Sequence, residues 1–421
     1  MRAGLLCLML AAALGAQQTL TMEEAEKFAI ANNPRLSSAS LTAQAVGKTV
    51  AEAKAARYPT LSANVTGTGA ETGTTVSAGA LTTSSLSSRT ASGLALSQLI
   101  TDFRRTKSLT ETARLRAAAQ TSNVDEVRTL IRLEVRHAYY QSLAAQAVLK
   151  VAQAVLEQRR ITLRQIAALG ASELKSTLDV RFAEVAVSEA ELAVYQAENS
   201  LHENNARLAA AMGYDREQAL TLVEEPLPGP LDAAPDPEIE RALKMRPDLE
   251  SLGLSRDAAH QFALAEAKLR YPTISLLGAG GVVPAHDHTI KDNYAAAGVN
   301  FNLPILNGGL YKARQAEAEL RAQAAEKDVR DLALRISRDV QVAWLEANNA
   351  YRSLDVMARL VAQANEALRL AQARYDIGLS SIVELTQAQF SQTFAQIGAA
   401  NAKFDYLSKR AELDYETGAL R

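Results

Sequence analysis

The chain is written twice, and the repeated unit joins a pair of short strand signals to a very long helix signal, which few folds can accommodate. "AEAKAARYPTLS" (51–62) returns as "AEAKLRYPTIS" (265–275), and "NNPRL" (32–36) as "MRPDL" (245–249). Pro34 precedes Pro59 by 25 residues, and Pro247 precedes Pro272 by the same 25, a shift of 213. Further on the shift is 205, relating "LDVRFAE" (178–184) to "VELTQAQ" (383–389) and Gly213 to Gly418. The eight-residue difference falls between the paired strands, so it is a loop length. "YDREQALTLVEEPLPGPLDAAPDP" (214–237) is a proline-rich connector between the halves.

Each half carries the same order of signals. A short helix opens it, with Thr21 and Glu24 spaced as a capping box in the first and Asp236-Pro237 starting the second. Pro34 and Pro247 end that helix and admit a second, to Arg57 and Arg270. Strands follow at about 58–70 with 90–102, and at about 271–282 with 294–305. A long helix then runs to a glycine break (Gly170; Gly378), and a last helix ends at Gly213 or Gly418, both suited to a left-handed C-cap. The helix over 104–169 spans roughly 100 Å, and 34–57 with 172–213 end to end sum to a similar length. The matching lengths predict a rod with strands at one end.

Composition agrees with long packed helices. There is one Trp, aromatics are 5% of the chain, and Ala, Gln, Glu and Arg are abundant. A net charge of −2 and the absence of a Lys/Arg cluster exclude a bulk electrostatic case for nucleic acid. "MRAGLLCLMLAAALGAQQ" (1–18) reads as an export signal cut near Ala16, so 1–16 is removed and 17–213 forms the first repeat, with the second at 238–421. Cys7, the single cysteine, lies in that signal without the flanking small residues lipid attachment needs, so the mature protein is expected to be cysteine-free and unlipidated.

The strands alternate: Leu61, Ala63 and Val65 interleave with Ser62, Asn64 and Thr66, and Val299, Phe301 and Leu303 with Asn300 and Asn302. Such a strand suits either a half-buried sheet in a soluble domain or a membrane barrel. Four strands cannot close a barrel, and open edges cannot face lipid, so a membrane role demands several chains that pool their strands. The long helices are apolar on more than one face (Leu130, Ile131, Leu133, Val135, Ala138, Tyr139), which suits a wall of helices or a coiled-coil bundle.

Other chemistry is sparse. His286, Asp287 and His288 in "PAHDHT" match no strong metal signature and read as a solvated loop. His137, His202 and His260 lie in helices without partner pairs, on polar seams. The run "GAGG" (278–281) reads as a bulge or tight bend. No phosphate loop, nucleophile elbow or paired-carboxylate cleft is present, which argues against an enzyme and against a cofactor.

Five segments together resemble the TolC-type outer-membrane efflux proteins: "LTMEEAEKFAIANNP" (20–34), "RYPTL" (57–61), "RYPTI" (270–274), "LPILNGG" (303–309) and "ARYDIGLSSIVELTQAQ" (373–389). The resemblance covers nearly the whole mature chain. It implies a mainly α fold with a membrane β-barrel portion: two structural repeats and four strands per chain, giving a homotrimer with a twelve-stranded barrel above a long α-helical barrel. The protein would sit in the outer membrane with its helices in the periplasm, as the exit duct of a tripartite efflux pump or type I secretion system. Its partners would be a periplasmic adaptor, an inner-membrane pump and outer-membrane lipid. The resemblance also places a periplasmic gate at Asp179, Tyr375, Glu384 and Gln387, and adaptor-docking hairpin tips at Leu169, Gly170, Ala171, Ile377, Gly378, Leu379 and Ser380. Gln387 is an amide where the family usually has an acid, Ser380 replaces a gate arginine, and Asp179 has no evident cation. A soluble periplasmic scaffold or adaptor is the competing reading, although an adaptor should carry a β-rich domain that this chain lacks.

Overall fold

A computed structural model describes residues 18–69, 75–78, 81–85, 89–216, 220–285 and 291–421. The export signal with Cys7, and the His286, Asp287, His288 loop, lie outside the described residues. The chain divides into two compact units.

One unit comprises the described part of Met1–Ala39 together with Val124–Pro247 and Ala333–Arg421. It opens with β1 (Gln18–Leu20) and α1 (Met22–Asn32), whose Thr21 and Glu24 form the expected reciprocal capping box. Pro34 then starts α2 (Pro34–Ala55), of which this unit holds the part up to Ala39, its missing N–H falling where a helix has no acceptor to offer. The long helix α3 (Arg105–Ala171), in this unit from Val124 on, is followed by α4 (Thr177–Met212), β6 (Leu220–Leu222) and α5 (Asp236–Met245). The pair α7 (Leu310–Asp376), in this unit from Ala333 on, and α8 (Ile382–Glu416) closes the chain. Here β1 and β6 pair in parallel, a contact the strand signals do not announce.

The core of this unit is stitched by α3. Ile131, Val135, Tyr139 and Leu143 repeat every four residues and meet Met22, Ala25 and Ala29 of α1, Leu208 and Met212 of α4, and Phe404 and Leu407 of α8. Buried Tyr139 reaches the small sheet: its hydroxyl lies 2.7 Å from the Leu20 carbonyl and 2.8 Å from that of Val223, and accepts from the Val223 N–H at 3.0 Å. Burial pushes its phenol up to about 12, so it stays a neutral donor. Arg136 carries the same belt outward, bridging Glu26 and Asp414. Helix α4 ends as expected on Gly213 at φ 88°, packed on the Asn32 backbone.

The second unit comprises Ser40–Asn123 and Asp248–Leu332. It holds β2 (Thr60–Thr68), the short pair β3 (Thr75–Ala78) and β4 (Leu81–Ser85), β5 (Arg89–Thr101), α6 (Pro247–Ala267), β7 (Thr273–Ala285) and β8 (Asn293–Asn302). Four strands form one antiparallel sheet in the order β2-β5-β7-β8, so among the described residues β2 and β8 are open edges. Between β2 and β5 in the chain lies the short β3–β4 hairpin. The bulge reading of "GAGG" and the partnerless reading of His260 are overturned here. The "GAGG" run is not bulged: Gly278 to Gly281 pair continuously with both neighbours, and the register shifts lie instead at Thr90/Ser92 and Leu99/Thr101. The glycines serve close approach, since a Cβ on Gly281 would come within 2.2 Å of the Ser92 carbonyl. His260 has a partner after all, Glu326 at 3.0 Å on the neighbouring long helix.

The pairing register sorts the sheet into two faces, because directly opposed residues point the same way. Leu61 opposes Leu96, Ala63 opposes Leu94, Leu276 opposes Val299 and Ile274 opposes Phe301, which gathers these side chains on one face. The other face carries Ser62, Asn64, Ala95, Ser97, Ser275, Asn300 and Asn302. The apolar face is bare in the single chain, with Val65 79% and Val299 66% exposed. Water does not tolerate so continuous an uncovered apolar face without a reason.

Candidate hairpin-tip gate

The two helical hairpins turn in the same way, and the repeat shift of 205 holds through both turns. Leu174 N–H donates to Leu169 O at 2.9 Å in the first, and Leu379 N–H to Arg374 O at 2.8 Å in the second, the six-residue closure of a helix C-terminus. Inside that closure one residue must be left-handed. It is Gly378 (φ 78°) in the second turn and Glu173 (φ 57°) in the first. Gly170 therefore is not the counterpart of Gly378 and does not break the helix: α3 runs through it to Ala171. Gly170 stands in the place of Tyr375, and an added Cβ there would meet Val180 at 3.1 Å.

Serine starts the return helix in both hairpins. Ser176 Oγ accepts the Asp179 N–H at 3.1 Å, and Ser381 Oγ accepts that of Glu384 at 3.4 Å. The acidic side chains then diverge. Asp179 folds back to accept the Ser176 N–H at 3.3 Å, completing a capping box. Glu384 instead pairs with Arg374 in the last turn of α7, with Oε1 3.2 Å from Nε. Both partners are about half exposed, so the pair contributes little by itself.

The contact between hairpins is carried by residues from opposite turns. Tyr375 is 3% exposed and packs with Ile166 and Ala183 of the first hairpin and Ile382 and Leu385 of its own. Over its ring, 3.7 Å from the centroid, sits the ammonium of Lys175, which also donates to the Tyr375 carbonyl at 2.9 Å. Lys175 occupies the place that Ser380 holds in the other turn, so one repeat supplies the ring and the other the cation. Burial, then the negative fields of Asp179 and Asp376, push the Tyr375 phenol up to about 12, and it remains neutral. Its hydroxyl and that of Ser380 are buried without a partner among the described residues.

The remaining expected residues sit at or near the surface. Ile377 is 71% and Leu379 67% exposed, and Leu169 and Ala171 lie in the final turn of α3 rather than in the loop. The exposed apolar residue of the first loop is Leu174, the equivalent of Leu379. Gln387 lies on an exposed stripe of α8 with Val383, Phe390 and Phe394, and α4 repeats that stripe with Leu178, Phe182 and Val185. Lys175, Arg374 and Leu174 were absent from the sequence expectations. Carrying the 205 shift through the turns, instead of matching glycine to glycine, would have exposed all three.

Among the described residues no group of three or more His, Cys, Asp and Glu gathers as for a metal, and no helix is long and apolar enough to cross a membrane.

Comparison with known proteins gives one answer. The family model described as outer membrane efflux protein matches residues 27–214 and 239–419, two matches in succession along the chain. Nodulation protein T of Rhizobium leguminosarum bv. trifolii is 27% identical over 388 residues, covering 89% of this chain and 80% of that protein. Outer membrane protein OprJ of Pseudomonas aeruginosa is 27% identical over 379 residues, covering 88% and 78%. Among solved structures, the outer membrane protein VceC of Vibrio cholerae superposes with a TM-score of 0.80 at 20% identity, covering 94% of this chain and 96% of that one. With its two repeats, its four-stranded sheet and its paired helical hairpins matched together, the chain belongs to the outer membrane efflux protein family.

Proposed function

We propose that this protein is the outer-membrane duct of an efflux or export assembly, a homotrimer whose three sheets join edge to edge into a twelve-stranded barrel. The observation that carries this reading is the sheet itself: four strands, two unpaired edges, one apolar face and one polar face. In lipid each unpaired peptide group costs several kcal/mol, so β2 of one chain must meet β8 of the next. The apolar face then meets lipid and the polar face lines the pore. The exposed apolar stripes on α4 and α8 are suited to burial against neighbouring copies in a periplasmic helical barrel. The leader 1–16 directs export and is removed.

The duct performs no chemistry; an inner-membrane pump supplies the energy, joined through a periplasmic adaptor. Leu174, Ile377, Gly378 and Leu379 project at the turns and offer apolar, sterically open surface for that adaptor. The hairpin tips close the periplasmic end, and Lys175 on Tyr375 holds the two hairpins of each chain together. Purified protein is expected to form discrete conducting channels in planar bilayers, and failure to do so contradicts the reading. Within those channels Glu384→Gln removes one negative charge per chain beside Arg374. The cation-to-anion permeability ratio, read from reversal potentials in a salt gradient, is expected to fall about twofold. An unchanged ratio excludes Glu384 from the conducting path.

A further inference from the structure

The four-stranded sheet carries a second feature that neither the barrel nor the gate uses. Near the start of β5 the ladder with β7 slips: Thr90 opposes Ala285 and Ser92 opposes Val282, so β7 spends an extra residue there. Beside this bulge lies an open concavity of about 750 Å³ lined by residues of one chain. That volume is in the range of pockets for small organic ligands. Its lining includes Thr66, Arg89, Ala91, Lys291 and Tyr294 and no carboxylate among the described residues. Register places Thr66, Ala91, Arg89 and Tyr294 on the polar face, through the pairs Thr66–Ala91, Thr68–Arg89 and Gly281–Tyr294.

Two features make this a built surface rather than a stray dent. Arg89 and Lys291 are both exposed and have no ion pair with a described carboxylate. Asp292, next to Lys291, does not line the concavity. Tyr294 is laid against bare backbone: a Cβ on Gly93 would fall 2.2 Å from its hydroxyl, and one on Gly281 would fall 2.8 Å from Cζ. The two glycines thus seat the phenol against the sheet, and the residue stays 43% exposed, with the ring available to a visitor. A flat ring beside two cations that have no described carboxylate partner matches a ligand with a flat apolar body and an anionic head.

We propose that the pore face carries, at the end of the strands remote from the long helices in sequence, a binding site for aromatic anions. The carboxylate or phosphate is held by Arg89 and Lys291, and the ring is stacked on Tyr294. This rests on the duct reading, which makes the polar face the pore wall and gives three such sites per channel. A passing cargo of this class would dwell there before leaving.

The probe is phenyl phosphate, applied in turn to each side of channels in phosphatidylcholine bilayers, with inorganic phosphate and benzyl alcohol as the charge-only and ring-only controls. Phenyl phosphate is expected to reduce the current at a concentration about tenfold below that of inorganic phosphate, from one side preferentially, while benzyl alcohol does nothing. The double variant Arg89→Gln/Lys291→Gln is expected to raise the half-blocking concentration of phenyl phosphate about tenfold and to leave the channel open and conducting. Tyr294→Leu is expected to keep the response to inorganic phosphate and lose the preference for the aromatic probe. Conducting channels that phenyl phosphate leaves unblocked, or whose block survives the double variant, overturn the site and leave the duct standing. Absence of conductance in the native protein overturns the duct reading and the site with it.

Discussion

Leu94→Arg is expected to abolish assembly in the outer membrane, whereas Ser97→Arg, three residues along the same strand, is expected to be tolerated. Leu94 lies mid-strand in β5 on the apolar face, opposite Ala63 and half exposed in the single chain. Ser97 lies on the other face, opposite Thr60. An arginine facing lipid at mid-depth costs about 2–4 kcal/mol per chain, a penalty tripled in the proposed trimer. On the pore side the same guanidinium stays in water. The comparison is read from the amount of each variant recovered in the outer-membrane fraction. Equal recovery of both variants would show that the apolar face does not meet lipid.

The second large effect belongs to the hairpin tips. Lys175→Ala removes a charge-assisted hydrogen bond to the Tyr375 carbonyl and the cation above its ring, while Ile166, Ala183, Ile382 and Leu385 keep their packing. Because Lys175 is partly exposed, the two contacts together are worth about 2 kcal/mol per chain. Removing that much from the contact between hairpins displaces a closed-to-open equilibrium about thirtyfold. The open probability of single channels is expected to rise several-fold as the equilibrium shifts, with Lys175→Arg close to native. Tyr375→Leu is expected to be milder, since the backbone acceptor and most of the apolar volume survive. A Lys175→Ala channel with native open probability would remove the clamp from the gate.

The parts of this fold that show in the amino-acid sequence are those written by local chemistry. Thr21 with Glu24, Pro34, Pro247 and Gly213 each act on backbone within a few residues, and each is found where its chemistry places it, give or take the frayed end of a helix. Alternation likewise exposed the four long strands, because a sheet with one apolar face and one polar face must alternate. What stayed hidden depends on residues far apart in the chain. The pair β1–β6 joins Gln18–Leu20 to Leu220–Leu222, segments too short to carry a strand pattern, and it is positioned by Tyr139. Lys175 looks like an ordinary loop lysine until the packing of one hairpin on the other sets Tyr375 beneath it. The left-handed turn was sought at Gly170 because glycine is the usual bearer of positive φ; Glu173 takes that conformation instead, at about 1–2 kcal/mol, with the same closing hydrogen bonds as around Gly378.

Strand count decides the account. Light scattering of the detergent-extracted protein, corrected for bound detergent, weighs the assembly directly. Three chains per particle, stable on dilution, is the predicted result; a particle holding one chain, with both sheet edges left unsatisfied in the micelle, contradicts it.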